Sequence, residues 1–284
     1  MKVAFLGPAG TFSEDALRAA ARGAQVDAIP AASVHDAIRA VHEGDADRAL
    51  VPFENSIEGA VRSTLDTLAF EGFSVTIVGE HDHAVRHALI AREELPLERI
   101  EAVLSHPQAS AQCARFIRTQ LPDAQVRPAE STAEAVRSVA TSERPWAALG
   151  AASAATIYDC AVLREGVEDT TENVTRFVWI APGGTRPEGT EPWRTTLVFS
   201  ELGADHPGAL VEALTEFSSR GVNLTRIESR PLRRGLGRYM FFCDLDGDAE
   251  DPAVAEAIVA LREKAESVRI LGSYPIASNG IPRG

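Results

Sequence analysis

Three short apolar runs, Val3 to Leu6, Ala49 to Val51 and Ala102 to Leu104, share one habit. Each is long enough for a buried strand and too short for a buried helix, and each is followed almost at once by a helix-start signal. Thr11 with Glu14 has capping-box spacing, Asn55 with Glu58 a looser version, and Ser105 with Gln108 a third in which Pro107 suits the first helical turn. A fourth unit, Ala147 to Leu149 followed by Gly150 and an Ala-rich stretch, is a weaker copy. Strand, short polar turn and helix, repeated, predicts an α/β sheet. In such sheets ligands gather at the C-terminal strand ends, where helix N-termini offer unpaired N–H groups and a positive partial charge; an anion-binding crevice is the expectation.

The pattern breaks at Ala181-Pro182-Gly183-Gly184-Thr185-Arg186-Pro187-Glu188-Gly189, whose density of proline and glycine reads as a linker. The segment beyond the linker is compact and regular. Thr195 to Phe199 suits a strand, and in Ala209 to Phe217 the residues Leu210, Ala213, Leu214 and Phe217 share one helical face. Leu224 to Ser229 and Tyr239 to Leu245 suit strands, Val254, Ala257, Ile258 and Leu261 mark a second helix, and Val268 to Leu271 a last strand. The order βαββαβ is the ferredoxin-like arrangement, which hosts many functions and names none. Residues 278–284, rich in Gly, Pro and Asn, are expected to form a loose tail.

Composition narrows the function classes. The 284 residues carry a formal net charge of -13 without a basic stripe, which argues against a nucleic-acid partner but leaves room for a small anion held by local donors. The three cysteines, Cys113, Cys160 and Cys243, are odd in number and set among apolar neighbours, as expected for free thiols in a reducing compartment. The apolar start stops at Gly7-Pro8, short of a signal peptide, and no segment approaches a membrane span, so a cytoplasmic protein is expected.

The chain has no P-loop, no GxGxxG after a strand and no GxSxG elbow. His83 and His87 have the i, i+4 spacing of a helical metal pair, but no Cys or carboxylate at ligand spacing completes a site, so neither metal nor cofactor is expected. What remains are polar clusters at the predicted strand ends: Gly7-Pro8-Ala9-Gly10-Thr11-Phe12-Ser13, Pro52-Phe53-Glu54-Asn55-Ser56-Ile57-Glu58-Gly59, Ser105-His106-Pro107-Gln108 with Gln112-Cys113 behind it, and Asn173-Val174-Thr175-Arg176-Phe177. In these the chain resembles the prephenate dehydratases, whose GPxGTFS, VPxENSxEG, SHPQxxxQC and NxTRF segments stand here in order. The last domain resembles the amino-acid-sensing ACT domain of the same enzymes, through Pro207-Gly208-Ala209-Leu210-Val211 and Glu228-Ser229-Arg230-Pro231. Phe53 stands where the family often has a smaller aliphatic. No chorismate mutase-like helical domain precedes Met1, so a bifunctional enzyme is not expected.

The resemblance implies a two-lobed, periplasmic-binding-protein-like α/β catalytic region over residues 1–181, with lobe 1 at about 1–79 and 159–181 and lobe 2 at about 80–158. A linker (182–193), an ACT domain (194–275) and a tail (276–284) would complete the chain. It also implies a carbon–oxygen lyase of aromatic amino acid biosynthesis that converts prephenate to phenylpyruvate, water and carbon dioxide. By the same resemblance Thr175 is catalytic with its hydroxyl on the leaving group, Asn55, Ser105 and Gln112 are polar partners around the substrate, and Thr11, Asn173, Arg176 and Phe177 are further substrate contacts. Strand alternation sends Thr175 and Arg176 to opposite faces, which weakens the case for Arg176.

Phenylalanine is the implied effector, bound near Gly208, Ala209, Leu210 and Val211 with Asn223 and Leu224 of an opposing copy and Glu228, Ser229, Arg230 and Pro231 nearby. That requires a homodimer or homotetramer. Two rivals stand beside this reading: an arogenate dehydratase, which would need a partner for the substrate amine, and a two-lobed binding protein without catalysis.

Overall fold

The computed structural model describes residues 1–187, 192–202 and 206–276. The chain begins with β1 (Lys2–Leu6), α1 (Phe12–Ala20), β2 (Asp27–Ala31), α2 (Val34–Glu43), β3 (Arg48–Asn55), β4 (Gly59–Ala60), α3 (Arg62–Phe70) and β5 (Val75–Ala84). It continues through β6 (Ala88–Ala91), β7 (Ala102–Ser105), α4 (Pro107–Gln112), α5 (Ala114–Gln120), β8 (Gln125–Pro128), α6 (Thr132–Ala140), β9 (Trp146–Gly150), α7 (Ala152–Ile157) and β10 (Ala161–Glu165), and returns in β11 (Val174–Pro182). Two sheets result. The first has the order β2-β1-β3-β11-β5 with β4 beside β3, and the second β10-β6-β9-β7-β8.

Local chemistry explains the parallel half of each sheet. Residues 49–53 of β3 are buried without interruption, as a central strand covered on both faces must be. Helix α2 turns Val34, Ala37, Ile38 and Val41 inward, starts where the Ser33 hydroxyl accepts from the Asp36 N–H, and stops at left-handed Gly44. β11 runs antiparallel between β3 and β5, so a segment 118 residues downstream of Asn55 completes the centre of the first sheet.

Strand membership moves the lobe boundaries. β5 pairs with β11 as far as Ala84, and β10 belongs to the second sheet. The chain therefore crosses between lobes at residues 85–87 and 166–173, not at 79/80 and 158/159. The divergence arises because β5 is a ten-residue strand whose end is set by its partner rather than by its own pattern. The two crossovers are laced together: the Val85 N–H donates to the Asn173 carbonyl at 2.9 Å and the Val167 N–H to the His87 carbonyl at 3.1 Å. At the opposite rim the Tyr158 hydroxyl donates to the Ala9 carbonyl at 2.8 Å. Gly10, at φ +82°, lies against Ala154 and Tyr158, where any Cβ would crowd both.

The C-terminal part is β12 (Trp193–Ser200), α8 (Ala209–Ser218), β13 (Leu224–Pro231), β14 (Tyr239–Asp246), α9 (Pro252–Lys264) and β15 (Ser267–Pro275). Its antiparallel sheet has the order β13-β14-β12-β15, the ferredoxin-like topology expected from the βαββαβ pattern. One face carries the two helices. The other packs on the first lobe: Val198, Met240, Phe242, Leu271 and Tyr274 join Val51, Phe53, Ile77, Val178 and Ile180 in a single core. Each fully buried large side chain there contributes roughly 1.5–3 kcal/mol. Gly272 marks the closest approach, since a Cβ there would lie 2.2 Å from the Ile77 carbonyl oxygen. Part of the expected linker and residues 277–284 of the expected tail lie outside the described residues. Among the described residues no helix is long and apolar enough to cross a membrane.

Candidate active site

A cavity of about 260 Å³ lies between the lobes. Its first wall holds Phe12 and Ser13 from the start of α1, Pro52 and Asn55 from β3, and Thr175 and Phe177 from β11. Its second wall holds His106, Gln108 and Gln112 around α4 and Glu130, Ser131 and Thr132 at the start of α6. The crossovers supply Val85, His87 and Asn173. Glu130 is the one acid among these lining residues, and no Lys or Arg is among them. The first turns of α1 and α6 face the cavity, and their leading N–H groups have no partner within the helix. A small anion entering the cavity would meet neutral donors and helix ends.

The floor is a chain of amides. Asn55 Oδ1 accepts from the backbone N–H groups of Ile57 and Glu58, both at 3.0 Å. Its Nδ2 is thereby turned outward, where it donates to Asn173 Oδ1 at 2.7 Å and to Thr175 Oγ1 at 2.9 Å. Asn173 Nδ2 in turn donates to Gln112 Oε1 at 2.9 Å, and His87 Nε2 lies 3.0 Å from the same oxygen. Thr175 is thus fixed as an acceptor toward Asn55, and no acceptor for its hydroxyl hydrogen is found among the described residues. That hydrogen is free to be donated into the cleft. Burial pushes the His87 pKa below the ordinary histidine range against the opposing pull of Gln112 and Glu168, so the ring is neutral near pH 7.

The structure brings together Asn55, Gln112, Asn173, Thr175 and Phe177 from segments far apart in sequence, and leaves three expected residues elsewhere. Ser105 is fully buried behind the cleft, where its hydroxyl donates to the Leu149 carbonyl at 2.9 Å and ties β7 to β9. It caps nothing; His106 Nδ1 accepts from the Gln108 N–H instead. Thr11 precedes α1, but its hydroxyl donates back to the Leu6 carbonyl at 3.1 Å and does not line the cavity. The supporting carboxylate Glu14 accepts from the Gly10 N–H, one residue earlier than a capping box requires. Asn55 heads a turn rather than a helix, because α3 starts only at Arg62.

Arg176 is the clearest correction. It points away from the cleft into the contact with the C-terminal domain, where its guanidinium meets Asp244 at 2.6 Å, Glu54 at 2.9 Å and Glu80 at 3.4 Å. The reason is the two-residue period of β11. Burial opposes its charge, but Asp244, Glu80 and Glu54 outweigh burial and hold the guanidinium protonated. Asp244 is the mirror case: burial raises its pKa, and Arg176, Arg226 and Arg194 more than reverse this.

Lining residues that no sequence signal assigned to the site are His87, His106, Ser131 and Thr132. Ser131 was detectable, since Ser131-Thr132-Ala133-Glu134 is a capping signature and its hydroxyl does accept from the Glu134 N–H at 3.0 Å. His87 carried no such signal. Read as half of a helical pair with His83, it lies instead in a crossover beyond an extended β5.

The residues expected to meet an effector stand at two places. Gly208, at φ +98°, precedes α8, whose first turn holds Ala209, Leu210 and an exposed Val211. Leu224, Glu228, Ser229, Arg230 and Pro231 lie along β13, an edge strand, with Asn223 just before it donating to Asp246 at 2.8 Å. Arg230 is already engaged, holding Asp66 of α3 through contacts of 2.7–3.1 Å.

A family model described as prephenate dehydratase matches residues 3–184. The chain belongs to the prephenate dehydratase family. An ACT domain model matches residues 197–263. Among curated relatives, the prephenate dehydratase of Mycolicibacterium vanbaalenii is 42% identical over 96% of this chain and 90% of its own length. That of Mycobacterium tuberculosis is 40% identical over 97% and 87%. A solved prephenate dehydratase from Arthrobacter aurescens, in complex with L-Phe, superposes with a TM-score of 0.90 at 40% identity, over 100% of this chain and 92% of that one. A second solved structure, described as a novel type of quorum quenching acylase, has a TM-score of 0.85 at 33% identity over 98% and 99%.

Proposed function

We propose that the cleft catalyses the decarboxylative dehydration of prephenate to phenylpyruvate, as a carbon–oxygen lyase, and that the C-terminal domain makes the rate responsive to phenylalanine. The observation that carries the catalytic reading is the bonding of Thr175: it lines the cleft, its oxygen accepts from Asn55, and no acceptor among the described residues takes its hydrogen. Prephenate loses its ring carboxylate and the opposite hydroxyl together. The electrons of the breaking carbon–carbon bond enter the ring, which becomes aromatic, and the carbon–oxygen bond breaks toward oxygen. The departing hydroxide takes up a proton from solvent and leaves as water. Thr175 stabilises the charge growing on that oxygen by donating a hydrogen bond, and the Asn55 N–H held against its own oxygen makes it a better donor.

The lack of cations among the lining residues fits this chemistry. A guanidinium on the ring carboxylate would stabilise the group that has to leave, raising the barrier, whereas amide donors and the first turns of α1 and α6 hold it without trapping it. Gln112 and Asn173 serve as neutral donors, and Phe12 and Phe177 provide apolar faces for the ring. The acylase relative raises amide hydrolysis as a second reading. Hydrolysis needs a nucleophile beside a base, and the partner on Thr175 is an amide N–H donor, which does not activate an attacking oxygen.

For the regulatory half, phenylalanine is proposed to bind at the start of α8 and along β13, between two copies of the chain. β13 is an open edge with Ile227 exposed, and Val211 is exposed on the neighbouring helix. The neighbour with bound L-Phe supports the effector's identity. The enzyme is proposed to work in the cytoplasm.

The test is to supply purified protein with prephenate or arogenate and follow phenylpyruvate and phenylalanine, with and without added phenylalanine. Rapid phenylpyruvate formation suppressed by phenylalanine is expected. Preference for arogenate would replace the substrate, and turnover of neither by folded protein would leave a binding function.

A further inference from the structure

His87 is 2% exposed, lines the cleft and has no role in the chemistry above. The hydrogen bonds around it determine its tautomer. The direction of the amide chain is set by donors that cannot reverse, the backbone N–H groups of Ile57 and Glu58 on Asn55 Oδ1. From there each amide has one consistent orientation: Asn55 donates to Asn173, and Asn173 donates to Gln112 Oε1. An oxygen at the end of such a chain can only accept, so the hydrogen in the 3.0 Å contact with His87 belongs to Nε2. Two donors then hold Gln112 Oε1 from the crossover side. The other end of the amide, its NH2, is left to the cleft.

The backbone of His87 is held just as firmly. Its N–H donates to Glu168 Oε2 at 2.9 Å, its carbonyl accepts from the Val167 N–H at 3.1 Å, and Glu168 also engages Arg86 at 3.2 Å. The ring meets Phe12 edge-on at 5.1 Å. His87 therefore sits where the two crossovers meet, with one side chain contact to each lobe: Phe12 on the first, Gln112 on the second.

We propose that His87 is a positioning residue, which as its Nε2–H tautomer pins Gln112 Oε1 and so presents the Gln112 NH2 to a carboxylate of the substrate. This rests on the dehydratase reading for the substrate, but not for the tautomer or the Gln112 orientation. Gln112 is the residue that touches substrate; His87 acts through it. Without the second donor the Gln112 side chain keeps only Asn173 and gains freedom to rotate its oxygen toward the cleft, where it would repel a carboxylate.

Two variants and one spectrum test this. His87→Phe keeps the ring and its contact with Phe12 but removes the donor. His87→Gln restores an N–H donor at similar reach. For prephenate, His87→Phe is expected to raise KM about tenfold, the scale of one lost hydrogen bond, with a smaller change in kcat, and His87→Gln is expected to recover most of the loss. Equal KM in wild type and His87→Phe, or a loss that His87→Gln does not repair, would overturn the proposal. In protein with 15N-labelled histidine, the resonances missing from His87→Phe or His87→Gln identify His87. A protonated Nε2 with an unprotonated Nδ1 is expected, and the reverse tautomer sinks the idea. The spectrum is read without turnover, so a wild type inactive on prephenate would defeat the dehydratase reading while leaving the tautomer and the Gln112 geometry to be judged separately.

Discussion

Thr175 and Arg176 are adjacent in β11 and face opposite ways: the hydroxyl of one takes a 2.9 Å bond from Asn55 on the cleft floor, and the guanidinium of the other meets Asp244 of the C-terminal domain at 2.6 Å. A single strand thus carries the proposed catalytic donor on one face and the anchor of the C-terminal domain on the other. Any movement of the C-terminal sheet relative to the first lobe would pull on the residue next to Thr175. Coupling between an effector and the cleft requires some such shared element with a preference between two states.

Replacing Thr175 separates the donor from its frame. Thr175→Ala is expected to lower kcat by about a hundredfold or more while the protein stays folded, since a hydrogen-bond donor placed on developing charge is worth that much. Thr175→Ser keeps the hydroxyl and should retain a substantial part of the rate. Steady-state kinetics on prephenate decide it, and an alanine variant with full activity removes Thr175 from the mechanism.

Breaking the anchor should be costly to the whole fold. Asp244 is fully buried and Arg176 nearly so, and Thr196 also donates to Asp244 at 2.8 Å. Asp244→Ala leaves a buried guanidinium with less compensation and is expected to destabilise by about 3–5 kcal/mol. Urea unfolding measures this; a loss under about 1 kcal/mol, the scale of an exposed pair, would mean that Glu54 and Glu80 suffice for Arg176.

The contact between Asp66 and Arg230 offers a milder change. Arg233 shares Asp66 at 2.7 Å, and together they clamp α3 of the first lobe to the strand proposed to meet the effector. In Asp66→Asn the uninhibited kcat and KM should stay within about twofold of wild type, because loss of a partly exposed pair is a small perturbation. The phenylalanine concentration for half inhibition is expected to shift severalfold. An unchanged inhibition curve would place the coupling elsewhere, with Arg176 the next candidate.

Stability should also fall with mild acid. Burial lowers the pKa of His83 against Asp15, and that of His87 against Gln112 and Glu168, both from an ordinary 6.5. The folded protein then binds fewer protons than the unfolded chain in the window just below 6.5, so stability rises with pH through that window and is lost as pH falls. Thermal unfolding from about pH 7.5 downward is expected to show a declining midpoint, with a shallower slope in His87→Gln. A flat profile would mean that neither ring resists protonation.

The strand-turn-helix rhythm was legible because buried parallel strands and amphipathic helices leave strong local periods. The βαββαβ order of residues 193–275 could be read for the same reason. Ser105 and Thr11 were misread because a hydroxyl after a strand is equally a cap, a brace between strands or a bond back to its own loop. Local sequence does not separate these; only the neighbouring strand, β9 for Ser105, decides.

Local pattern and motif order therefore determined the elements, the family and the alternation that set Thr175 and Arg176 apart, since these depend on spacing within a few residues. The tertiary structure decided what depends on partners far along the chain. It placed Asn55 on Thr175 across 120 residues, gave Arg176 to Asp244 across 68, and set His87 of the crossover beside Gln112 of the second lobe. Hydrogen bonds and ion pairs act over about 3 Å, and which groups come within that reach is a property of the packed chain alone.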